Sequence, residues 1–204
     1  MDHLRCFGAL VGEWRGVGQP QRGSNKGAWT ESGDWKWSLT KDSAALELTV
    51  AKGKFIKSAL LKPDKEPGRF LLEATLADGS KRTFRGKAGE RNVLTLTDEN
   101  DNAEGPARIK LTPLHETRFL LLLEARDGDG YRRLAEVGYT RKGVAFAAGD
   151  AAPPCIVTDG KGTIPVKHKG TTYYVCCTGC KDLFEADPDA VIAEAEARRK
   201  AAKK

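Results

Sequence analysis

Histidine and methionine are scarce in this chain of 204 residues, which has three of the first and one of the second. His3, His115 and His168 stand far apart, so the two-histidine helical motif of zinc peptidases is excluded. No run approaches the roughly twenty apolar residues that a membrane-spanning helix needs. There is no serine nucleophile elbow and no glycine loop leading into Lys-Ser/Thr for phosphate. Asp127-Gly128-Asp129-Gly130 opens like a calcium loop but lacks the glutamate at the twelfth position, and reads as a turn. These absences predict a protein that is not an enzyme. The net charge of +6 is spread along the chain. Its only basic run, Arg198-Arg199-Lys200 with Lys203-Lys204, reads as a solvated tail and not as a nucleic-acid footprint. The opening Met-Asp-His-Leu-Arg has no charged region leading into an apolar one, so a reducing, cytoplasmic setting is expected unless an upstream signal has been removed.

What the chain does have is period-two patterning. Leu4, Phe7 and Val11 predict a short amphipathic helix over 1–11, ended by Gly12. From Trp14 to about Tyr139, apolar and polar residues alternate: Trp35/Trp37/Leu39, Leu46/Leu48/Val50 and Phe70/Leu72/Ala74/Leu76. Leu94/Leu96, Ile109/Leu111, Phe119/Leu121/Leu123 and Val137/Tyr139 continue it. Asp78-Gly79 marks a hairpin between 69–77 and 81–87. About eight to ten short strands with no helix between them predict a mainly β fold, an antiparallel up-and-down barrel or a sandwich. The N-terminal helix followed by Gly12-Glu13-Trp14 resembles the Gly-x-Trp opening of lipocalin-like, calycin-type barrels. That resemblance implies a barrel over 1–148, with Trp14 closing one end under a basic residue near the last strand, for which Arg141 is the candidate. Small residues and prolines over 149–154 suggest a linker.

Four of the five cysteines fall within the C-terminal segment, as Cys155, Cys176, Cys177 and Cys180. Thiolates are soft ligands that select zinc or copper ions. Two strands, Ile164–His168 and Thr171–Val175, joined at Lys169-Gly170, should carry Cys176 at a strand end. Cys180 should lie in the first turn of a helix, with Thr178 as its N-cap, where the positive end of the helix favours thiolate. Asp187-Pro188 should start a second helix. Cys177 or His168 is the candidate for a fourth ligand; a water, an outside thiol or a partner protein are the alternatives. The competing readings are buried core cysteines, a Cys177/Cys180 redox pair, and a zinc ion that only holds the segment folded. Cys6 is expected to pack on the first helix, and His3 and His115 to be isolated surface residues.

This segment resembles the TRASH/YHS metal-binding modules through Cys155, Gly170-x-x-Tyr173-Tyr174, Cys176, Gly179-Cys180-Lys181, Phe184 and Asp187-Pro188. Ile156 stands where proline is frequent, and the turn after Val157 lacks the usual tyrosine. The resemblance implies a small α+β, treble-clef-like module over 155–204 that binds a metal through Cys155, Cys176 and Cys180, and a part in heavy-metal sensing or trafficking. A second reading gives the barrel a small apolar ligand and makes the cysteine unit a zinc clip for docking a protein partner.

Overall fold

The computed structural model describes residues 2–24, 26–41, 43–100, 104–142 and 153–201, with the side chains of residues 2 and 3 left out. The expectations for His3, for the linker at 149–152 and for Lys203-Lys204 lie outside the described residues.

Ten antiparallel strands close into a barrel in which every strand pairs with its neighbours in sequence and β1 pairs with β10. They are β1 (Gly12–Gln19), β2 (Trp29–Leu39), β3 (Ala44–Ala51), β4 (Ile56–Pro63) and β5 (Arg69–Leu76). β6 (Lys81–Ala88), β7 (Leu94–Asp98), β8 (Arg108–His115), β9 (Arg118–Asp127) and β10 (Gly130–Arg141) complete it. The inward residues are those that the alternation selects: Leu46, Leu48, Phe70, Leu72, Leu94 and Ile109 are all buried. Closure removes the free edges that a ten-strand meander would otherwise expose. At Asp78-Gly79 the turn is held by Asp78 accepting from the Ser80 N–H, and Gly79 takes the left-handed φ of 91° that its lack of a Cβ permits.

One stretch departs from the pattern. Trp35 is buried, but Trp37 is 38% and Leu39 63% exposed: Trp37, opposite the buried Leu46, lies at the barrel rim beside Gly8, and Leu39 extends past it. The interior is filled. The cavity lined by Trp35, Leu48, Leu61, Leu72 and Leu121 among others measures about 20 Å3, room for about one water molecule.

One barrel end is stoppered by a 3-10 helix, Asp2–Leu10. The sequence period suggested Leu4, Phe7 and Val11 as its inner face. The residues that point in are Leu4, Phe7 and Leu10, each 3% exposed or less, because a 3-10 helix repeats every three residues. Cys6 is left exposed. Phe7 meets Phe70 edge-on at 5.3 Å, and the Trp14 Nε1–H donates to Leu10 O at 2.6 Å. The Arg141 guanidinium lies 4.2 Å from the Trp14 ring centroid, opposite it across the β1–β10 ladder. It donates to the carbonyls of Ala9, Val11 and Glu116, so a single cation ties the stopper, the first strand and the β8–β9 turn together.

The chain continues as a hairpin, β11 (Ile164–His168) and β12 (Thr171–Val175), and two helices, α1 (Thr178–Ala186) and α2 (Pro188–Ala201). Lys169 and Gly170 both take positive φ, 48° and 80°, as a two-residue hairpin turn requires. Asp187 caps α2 by accepting from the Ala190 N–H at 3.0 Å. This unit packs on the outside of the barrel. Trp14, Gly16 and Gly18 of β1 face the interior, whereas the outward Val17 is 5% exposed and joins the apolar cluster of Val157, Val166, Val175 and Phe184. Arg15 and Gln19, also outward, reach Glu194 at 2.6 Å and Asp182 at 3.3 Å.

Candidate metal centre

Cys155 opens a tight loop. Its N–H donates to Gly160 O at 2.6 Å, and the next residue, Ile156, donates to Tyr174 O at 2.8 Å, so the loop is stitched onto β12. Gly162 makes that approach feasible: a Cβ there would meet Tyr174 Cβ at 2.5 Å and Pro153 O at 2.7 Å. Cys176 follows directly on β12. Cys177, in an extended conformation, is the N-cap of α1, so Thr178 is the first helical residue and not the cap. Cys180 falls in the first turn of α1, as expected, and is 1% exposed; Cys155 is fully buried. Arg198, assigned to a solvated tail by sequence, instead clamps α2 over the loop through Ile156 O at 2.9 Å and Asp159 at 3.1 Å.

The sulfurs of Cys155, Cys176 and Cys180 all lie within 4.8 Å of one another, with Cys176 and Cys180 3.5 Å apart. Bonds of about 2.3 Å to a tetrahedral zinc place sulfurs about 3.8 Å apart, so the triad could take up an ion with small adjustments. The Cys177 sulfur lies 3.6 Å from that of Cys180 and 3.9 Å from that of Cys176, but is not in the set that is mutually within 4.8 Å. His168 is not brought to the site. It sits at the far end of the hairpin, paired in register with Thr171, and its Nε2 is 3.0 Å from Asp189. His115 is an exposed residue at the end of β8. The four clustered cysteines are free thiols.

Their proximity splits their acidities. Hydrogen bonds from the Cys176 and Cys180 thiols bring Cys155 down to about 2, and the same neighbours bring Cys177 down to about 3. Cys176 and Cys180 move up, because they supply those hydrogen bonds and are themselves buried. The cluster therefore gives up its first protons readily and holds the rest, as interacting sites do. A bound metal ion replaces such retained protons, which is the usual competition between metal and acid at thiolates.

The barrel contributes to the same place. A cleft of about 190 Å3 separates the Cys176–Cys180 turn from the outer face of β9, β10 and β1, with Val17, Gln19, Arg118, Arg133 and Thr140 on its barrel side. Sequence reading missed this wall. The available signal was Val17, an apolar residue at the outward parity of a strand whose inward positions are Trp14, Gly16 and Gly18. Comparison with protein-family models gives no match, and comparison with curated proteins finds none that is similar.

Proposed function

We propose that this is a non-enzymatic metal-binding protein that holds one soft ion, zinc or copper, through the thiolates of Cys155, Cys176 and Cys180. The observation that carries the reading is the gathering of three sulfurs, two of them fully buried, from a loop, a strand end and a helix start. Cys177 is the neighbour from which a fourth sulfur would come. The resemblance to TRASH-like modules supports the same assignment. The half-buried Cys176 and Cys177 line an open cleft, which favours exchange of the ion, and hence metal sensing or trafficking, over a sealed structural role. The filled barrel interior favours a scaffold over a carrier of apolar ligands, since ligand pockets usually measure hundreds of cubic ångströms.

Competition with chelators for Zn(II) and Cu(I), on reduced protein and on Cys155→Ser and Cys180→Ser, tests this. Each substitution removes one of three thiolates and should weaken binding by more than about a hundredfold, beyond the loss typical of a supporting residue. Unchanged affinity in both variants would refute the assignment.

A further inference from the structure

The cleft between the cysteine turn and the barrel is cationic on its barrel side. Arg118, Arg133 and Arg22 line it against one carboxylate among the described residues, Glu136, and the Cys177 thiolate across the cleft. The Nε atoms of Arg118 and Arg133 are buried and have no hydrogen-bond partner. Arg133 spends its other nitrogens on Gln19 O at 3.3 Å and on a loose 3.7 Å approach to Glu136. Thr178 and Gly179, the first residues of α1, line the same space, where a helix has unpaired N–H groups. A guanidinium N–H without an acceptor calls for one. Both Nε–H groups are closed off from solvent as the side chains lie, so a small turn of either side chain is what brings its unspent donor to an acceptor in the cleft.

We propose that this cleft binds a small oxyanion, a carboxylate or a tetrahedral dianion, between Arg118, Arg133 and the start of α1. The volume of about 190 Å3 suits an anion of this size and not a nucleotide. Guanidinium groups present paired N–H donors that match the oxygens of such anions. The alternative is that Arg118 only balances the negative charge of Cys177. That role leaves its Nε–H without an acceptor and gives no reason for Arg133 to face the same space.

The anion site stands without the metal reading. Joined to that reading, it has one consequence: a metal entering past these arginines arrives more readily as an anionic complex than as a bare cation, which they repel.

The test is NMR titration of the reduced, 15N-labelled full chain with sodium sulfate and, separately, sodium acetate, at ionic strength fixed with sodium chloride. Saturable shifts confined to the Nε–H signals of Arg118 and Arg133 and to the amides of Thr178 and Gly179 are expected. Stronger response to sulfate assigns a tetrahedral dianion, and stronger response to acetate a carboxylate. Arg118→Gln should weaken binding at least about tenfold, with Arg118→Lys between it and the native protein. Metal content measured on the same samples reports on the thiolate site separately. Shifts that do not saturate, that sodium chloride alone reproduces, or that survive in Arg118→Gln overturn the proposal.

Discussion

Val17→Ala measures how firmly the cysteine unit is built onto the barrel. Val17 points outward from β1, where a bare barrel would leave it in water, yet it is 5% exposed beneath the Cys155 loop and Phe184. Removing two methyl groups forfeits about 1.6 kcal/mol of transfer free energy, and the gap left adds to it. The expected loss is about 2 kcal/mol, or about 4–8 °C in Tm for a chain of this size. All four tryptophans, Trp14, Trp29, Trp35 and Trp37, lie in the barrel, so urea unfolding followed by tryptophan fluorescence reports on the barrel. Hydrogen exchange of the α1 amides reports on the docked unit. Thr49→Ala, on the exposed outer face of β3, is the control and should change stability by no more than about 0.5 kcal/mol. If Val17→Ala behaves like the control and α1 exchange is unaltered, the unit is not held by this contact, and the cleft described above does not persist in solution.

Arg141→Met removes the cation over Trp14 and three donors to carbonyls. It should cost about 2–3 kcal/mol in chemical denaturation, and a loss below about 0.5 kcal/mol would show that the partly exposed bonds contribute little. Glu31 accepts from Tyr139 and Trp29 inside the barrel, and burial raises its pKa above the ordinary 4.5. The folded state therefore holds this proton more tightly than the unfolded one. The stability gained by protonation is complete below about 4.5 and is lost as pH rises through the folded value. Glu31→Gln should thus gain on the native protein as pH is raised from 4 to 8; a difference independent of pH would contradict the burial argument. Cys177→Ser should keep one metal ion per chain and lose less affinity than Cys180→Ser in chelator competition, and an equal loss would make Cys177 a full ligand.

Period-two patterning made the barrel legible because each strand buries one face, and alternation is the direct imprint of that burial. The cysteine hairpin was legible for the same reason, its turn marked by Lys169-Gly170. What the sequence hid were contacts between distant parts. Nothing local to Arg198 says that it folds back on Ile156, and nothing local to Arg118 or Arg133 says that they face cysteines on the far side of a cleft. The first helix was misread by one position, because three apolar residues fit a repeat of 3.6 almost as well as one of 3.0. Trp37 and Leu39 were assigned inward because alternation does not reveal where the core stops. His168 looked like a ligand by composition, but a five-residue strand of about 3.3 Å per residue carries it to the opposite end of the hairpin from Cys176.

The central claim is that three cysteines from separate elements form one metal centre. Elemental analysis of the reduced chain, purified after loading with Zn(II) or Cu(I) and passed through gel filtration, tests it most directly. The account predicts one ion per chain in the native protein and none in the combined Cys155→Ser, Cys176→Ser and Cys180→Ser variant. Retention of the ion by that variant, or none in a folded native protein, would contradict it.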